Sequence, residues 1–186
     1  MKRLFDILLA LWALLFLIWP ALIVAVLVKF TSKGPVLYWS DRVGKDNVIF
    51  KMPKFRSMKV DTPAVATHLL TDPKSVLTPI GDFLRKSSLD ELPQIWCILK
   101  GDMTFVGPRP ALFNQDDLIA YRTEQNVHEL VPGLTGWAQV NGRDELPIPE
   151  KVKYDAEYKQ KMNFSFDLYI IWLTFLKVIK RDGVSH

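Results

Sequence analysis

From Ile7 to Val28 the chain runs 22 residues without a charged side chain. As one straight helix at ~1.5 Å per residue, that run is ~33 Å long and can cross a hydrocarbon core. It constrains the fold more than any other feature, because an apolar segment of this length must be covered by lipid or by protein. It does not read as a cleaved leader: the run is too long, and no small-residue cleavage site follows it. Pro20 lacks a backbone donor and crowds the carbonyl of Phe16, so the helix is expected to bend there. Lys2 and Arg3 precede the run, and Lys29 and Lys33 follow it. Basic residues on both flanks suit a hairpin that enters and leaves one membrane face, and are awkward for a spanning helix. On these residues alone the two topologies stand level. Either one puts residues 29–186 on the cytoplasmic side.

The remainder is long enough for one domain with its own core. The expected organisation is a membrane anchor over 1–33 and a body over 34–186. With 24 basic and 20 acidic residues the net charge is +4, which suits an anionic membrane surface or an anionic substrate. No dense basic stretch interleaves with aromatics, so nucleic acid is not an expected partner. The one cysteine, Cys97, rules out an intrachain disulfide and a cysteine metal cluster. Its neighbours Ile95, Trp96, Ile98 and Leu99 mark it as a core residue.

The chemistry is expected in Ser87–Gln94, followed by Gly101-Asp102 and by Gly107-Pro108-Arg109-Pro110. Ser88 and Glu91 have capping-box spacing, which would make Asp90 the second residue of a helix. A carboxylate there stays ionised near the positive end of the dipole, and free amides face any anion brought to it. Pro108 and Pro110 lock the backbone on either side of Arg109, whose guanidinium can bind phosphate bidentately. Together these residues suggest chemistry on a phosphate ester. The bland alternative is that Asp90 and Glu91 are ordinary residues of a first helical turn.

Around this centre, Val36–Arg42 and Val48–Phe55 read as a β-hairpin turned by Gly44-Lys45-Asp46-Asn47. Lys51, Lys54, Arg56 and Lys59 form a basic patch or a solvated strand edge. Thr78-Pro79 starts a short helix that carries Arg85 and Lys86 at its end. The next helix is expected to bury Leu92, Ile95, Trp96 and Leu99, with Asp90, Gln94 and Cys97 on another face. Asn114–Glu129 reads as a helix. Pro132–Arg143 reads as a glycine-rich loop ending in a possible anion contact at Arg143. Leu168, Ile171, Trp172, Phe175, Leu176 and Ile179 make a helical stripe, and Ile170 and Leu173 widen it. The uncharged part is too short to span; it reads either as a core helix or, favoured because the chain already has an anchor, as a helix lying in the membrane interface with its basic end toward head groups.

Lys54–Met58, Ser88–Gln94, Leu99–Met103, Val106–Pro110 and Pro132–Arg143 resemble, in order, the motifs of the bacterial sugar transferase family, the small monotopic phosphoglycosyl transferases. The resemblance extends from Lys2-Arg3-Leu4-Phe5-Asp6 to Gly183-Val184-Ser185, so it covers nearly the whole chain. It implies an α+β protein: a re-entrant helix hairpin broken near Pro20, then a small, mostly helical catalytic domain with a β-hairpin and amphipathic interface helices. That domain would lie on the cytoplasmic face of the bacterial inner membrane. The implied reaction moves a sugar 1-phosphate from a UDP-sugar to undecaprenyl phosphate and releases UMP, the first membrane step of capsule or glycan synthesis. The donor sugar expected by similarity is an N-acetylated amino sugar. The resemblance makes Asp90 the nucleophile and a ligand of Mg²⁺, and Glu91 the second acid. Arg109, between Pro108 and Pro110, becomes a phosphate contact, and Arg85, Lys54 and Arg143 become further basic contacts of the substrate. The partners implied are the UDP-sugar, undecaprenyl phosphate and membrane lipids, and the reading is compatible with a homodimer. One departure stands out: the family usually has Ser-Pro at the break, and this chain has Trp19-Pro20. The alternatives are a glycosyl transferase that releases UDP and a catalytically inactive membrane scaffold.

Overall fold

The computed structural model describes residues 2–63, 65, 72, 74–142 and 146–180, with residues 179 and 180 described by their backbone only. It mixes helix and strand. The long apolar segment forms α1, Lys2–Thr31, whose helical backbone runs on through Pro20. By length and composition it can cross a membrane. One face is buried in protein: Ala10, Val24 and Val28 are covered, and Leu14, Leu17 and Ala21 pack beside them. These positions recur at three- and four-residue spacing, which puts them on one side of a helix. The other side is equally apolar and open, with Leu15 72 % exposed and Trp19 70 %.

Charged residues hold both ends of α1 to the body. Lys2 Nζ donates to Asp167 Oδ2 (2.5 Å) and to Val106 O (2.9 Å). Arg3 donates to the carbonyls of Ile98 and Leu99. Asp6, almost fully buried, accepts from Thr104 Oγ1 (2.7 Å) and Phe105 N (3.1 Å). Beyond the other end, Arg56 donates to the carbonyls of Ser32 and Pro35. Arg56 is therefore a buried brace, while Lys51 pairs with Asp41 and Lys59 bonds Ser75 O. The basic cluster expected over 51–59 is thus dispersed, and of its four cations only Lys54 turns toward the carboxylates of 90–91.

The hairpin forms as expected. β1, Leu37–Val43, pairs antiparallel with β2, Ile49–Phe55. Asp46 and Asn47 take positive φ (54° and 60°) in the turn, which short polar side chains tolerate. Helix α2, Gly81–Lys86, starts later than Thr78-Pro79 suggests. The Thr78 hydroxyl bonds Ser57 O and does not cap a helix. A 3-10 turn, Leu89–Gln94, leads into α3, Ile95–Lys100. Here Ile95, Cys97 and Ile98 are buried and Trp96 is exposed, so the face expected to pack is rotated. Burial also pushes the Cys97 thiol up to about 11, as befits a core cysteine.

The glycine-rich segment is more ordered than a loop. Gly133–Thr135 forms β4, parallel to β3, Thr104–Val106. Trp137–Asn141 follows as α5. Helix α4 covers only Asp116–Glu124, because Asn126 turns left-handed (φ 55°) before a short 3-10 turn. Helix α6 spans Ile148–Lys161 and α7 spans Phe164–Lys180. In α7 the buried positions include Asp167 and Ile170, with Leu173 packed nearby, while Leu168, Trp172 and Phe175 are exposed. Ile170 and Leu173 therefore face the core rather than widening an interface stripe, and the open face remains apolar.

Candidate active site

β2 and the 3-10 turn carry Lys54 and Glu91 to one another, and the segment after β3 brings Arg109 to the same carboxylate. Glu91 Oε1 accepts from Arg109 Nη2 at 2.6 Å and from Lys54 Nζ at 2.8 Å. The capping box does not form. Ser88 is left-handed (φ 57°) with no side-chain cap, and Glu91 turns to the two cations. Charge-assisted bonds to two cations outweigh one bond to a neutral amide. Burial would raise the Glu91 carboxyl, but Arg109 and Lys54 hold it well below the usual carboxylate range. Glu91 is thus an anion at neutral pH, paired with both cations.

Asp90 behaves in the opposite way. It is buried, 7 % exposed, and burial pushes its carboxyl up to about 6. Lys54, Arg85 and Arg109 pull it down, Glu91 pushes it up, and burial prevails. Adjacent carboxylates driven apart in this way make Asp90 and Glu91 a candidate site. Asp90 is still mostly ionised at neutral pH, but as a poorly solvated anion short of positive charge. That is the state in which a carboxylate is reactive toward an electrophile and receptive to a cation.

Arg109 is held through its backbone. Pro108 and Pro110 are buried on either side of it. Val106 O accepts from Lys2, Pro108 O from Gly133 N (2.9 Å), and Pro110 O from Arg42 Nη1 (3.1 Å). The glycines serve this approach: a Cβ on Gly133 or Gly136 would run into the backbone of Gly107. The structure thus brings together Asp90, Glu91, Lys54 and Arg109, with Arg85 close enough to act on Asp90. Arg143 lies outside the described residues. Sequence reasoning missed Lys2 and Arg42, whose carbonyl partners lie 104 and 68 positions away and leave no local pattern. Two clefts, one lined by Gln160, Asn163 and Tyr169 and the other by Trp39, Lys51 and Trp96, hold none of these residues.

Among the described residues no cluster of three or more His, Cys, Asp or Glu could hold a metal by itself. Mg²⁺ does not need one, since it commonly takes one or two carboxylates and completes its shell with substrate phosphate and water. A buried carboxylate pushed up to about 6 fits that donor set. Glu91 is already committed to two cations.

A family model described as bacterial sugar transferase matches residues 1–181. The chain is 42 % identical, over 95 % of its length, to the UDP-glucose:undecaprenyl-phosphate glucose-1-phosphate transferase of Escherichia coli K12, and covers 40 % of that protein. It is 36 % identical, over 98 % of its length, to the UDP-galactose-lipid carrier transferase of Erwinia amylovora, and covers 41 % of it. Over its full length it is 38 % identical to the uncharacterized sugar transferase EpsL of Bacillus subtilis 168, of which it covers 91 %. It therefore spans about two-fifths of the first two relatives and nearly all of the third.

Proposed function

Because this chain belongs to the bacterial sugar transferase family, we propose that it transfers a sugar 1-phosphate from a UDP-sugar to undecaprenyl phosphate and releases UMP. The observation that carries the reading is the contrast between Asp90 and Glu91. One is a buried, under-compensated carboxylate; the other is a permanent anion that orients Lys54 and Arg109 beside it. An Asp90 oxygen attacks the β-phosphorus of the donor, forming an acyl-phosphate bond while the bond to the UMP oxygen breaks. An oxygen of the polyprenyl phosphate then attacks the same phosphorus and frees Asp90. Splitting the displacement in this way replaces one difficult step by two easier ones. Arg109, Lys54 and Arg85 offset the repulsion between carboxylate and diphosphate. Asp90 would hold Mg²⁺, which would supply further charge neutralisation of the phosphoryl group.

The placement of α1 supports a monotopic protein on the cytoplasmic face of the inner membrane. Residues at both ends of the helix bond to one body, and a helix crossing to the far leaflet would carry one end away from it. A bend at Pro20, within the continuous helix, would let the exposed apolar side of α1 sit in lipid while both basic flanks stay at the head groups. The open faces of α1 and α7 would then hold the site at the depth of the acceptor phosphate. The donor sugar is proposed to be an N-acetylated amino sugar. The test supplies detergent- or nanodisc-held protein with Mg²⁺, undecaprenyl phosphate and a panel of UDP-sugars, and identifies the nucleotide released. UMP supports the reading, and the fastest donor names the sugar. UDP places the chain among ordinary glycosyl transferases, and release of neither supports an inactive scaffold.

A further inference from the structure

Arg109 is held from behind by a buried ion pair that neither the motifs nor the reaction calls for. Arg122, on α4, donates from Nη1 to the carbonyl oxygen of Arg109 itself at 2.7 Å. Its Nε and Nη2 both donate to Asp155 Oδ2, on α6, at 3.0 and 2.6 Å. Arg122 is 7 % exposed and Asp155 1 %. A guanidinium presents its donors in a rigid plane, so fixing two of them on Asp155 aims the third. We infer that Arg122, oriented by Asp155, is a positioning residue for Arg109: it sets the backbone from which the phosphate-binding guanidinium projects.

Each part of the arrangement is needed for that role. Arg109 O, partly buried in a stretch flanked by two prolines, has this donor from a side chain 13 positions away. The donor is charged, which makes the bond stronger than a neutral one. Its own charge is neutralised behind it by Asp155 and not by solvent. Lysine could reach either the carbonyl or Asp155 but offers no rigid fork to hold both. The competing explanation is that the pair only ties α4 to α6. That role would be felt by the whole fold, whereas positioning is felt through Arg109.

The inference rests on Arg109 being the phosphate contact, and its test separates the two ideas. Arg122→Lys, Arg109→Lys and the double variant are compared with the unaltered full chain in nanodiscs, reading kcat/KM for UMP release. Arg122→Lys should lower kcat/KM by about 10- to 100-fold, the effect of moving a positioned group by about 1 Å. In the Arg109→Lys background the same change should cost less than about 2-fold, because its route to the substrate is already altered. Asp155→Asn should reproduce the Arg122→Lys result. Equal fold losses in both backgrounds would overturn the inference. Hydrogen exchange provides a readout that does not depend on activity. Arg122→Lys should speed exchange across 104–112 while α4 and α6 keep their protection. Unchanged exchange at 104–112, or equal loosening of α4 and α6, would reject positioning whatever the protein catalyses. Absence of UMP from the unaltered protein would instead reject the proposed function.

Discussion

Replacing Asp90 with asparagine should abolish UMP release and, at the same time, make the protein more stable in a pH-dependent way. Asn has nearly the same shape as Asp but no charge to desolvate. In the folded chain the Asp90 carboxyl titrates near 6, against its ordinary 3.8. The native state therefore holds this proton more tightly than the unfolded state does. Stability linked to Asp90 is fully present below pH 3.8, falls as pH rises through the interval, and is lost above about 6. At ~1.4 kcal/mol per pH unit, ionised Asp90 costs the fold up to about 3 kcal/mol at pH 8. Asp90→Asn escapes that cost. In a chain of this size 1 kcal/mol moves Tm by about 2–4 °C, so the variant should gain up to about 6–12 °C at pH 8. The gain should shrink toward nothing near pH 4. Thermal unfolding of both proteins in the same detergent, with EDTA present so that no divalent cation compensates the carboxylate, measures the difference directly. A Tm difference that stays flat from pH 4 to pH 8, or that reverses sign, would refute the claim that burial strains Asp90. Adding Mg²⁺ should narrow the gap at pH 8 by stabilising the unaltered protein alone.

Three further outcomes follow from the same geometry. Glu91→Gln leaves Lys54 and Arg109 without their anion and removes a charge that pushes Asp90 up; the acid limb of the pH–rate profile, set by Asp90, should move to lower pH, and kcat should fall about 10- to 100-fold as the two cations lose their orientation. Gly136→Ala would drive a methyl group into Gly107 O; kcat/KM should fall at least about 10-fold, read alongside a folded-protein melting curve, because Gly107 lies two residues from Arg109. Ala10→Leu overfills a fully buried position on α1 and should cost about 1–3 kcal/mol, whereas Leu15→Ala, on the open side of the same helix, should leave Tm in detergent nearly unchanged. Equal effects of the last two would mean that α1 is not packed on the body as described.

What was legible in the chain was what neighbouring residues decide. The hairpin follows from two alternating runs and a turn of Gly, Asp and Asn, and α1 from an unbroken apolar run. Asp90, Glu91 and the Pro-Arg-Pro segment drew notice through their local chemistry, and their roles through a resemblance. The misreadings share one cause. Ser88 and Glu91 have the spacing of a cap, yet Glu91 goes to partners 37 and 18 positions away. Gly133–Thr135 has the composition of a loop, yet it finds a parallel strand at 104–106. The stripe on α7 was clear, but which side of it faces protein depends on what packs there; Asp167 turns inward to meet Lys2 and Tyr158. Arg122 and Asp155 sit in separate helices and advertise nothing until the fold puts them 2.6 Å apart.

The charges at the start of α1 also set an order of events. Lys2 meets Asp167 across 165 positions, and Asp6 meets Thr104 across 98. At ~5–20 residues per second, a ribosome takes roughly 10–30 s to make the first of these pairings available. Until Phe50, Met52, Ile95 and Ile98 have been made, the apolar helix lacks the core that packs on it, and lipid is its available cover. The body is thus assembled against a helix already made, and α7 closes on the start of α1. Such long-range closure is slow, and until it occurs the carbonyl of Val106, three residues before Arg109, lacks Lys2. The backbone that leads into Arg109 is consequently completed only when it meets the start of α1.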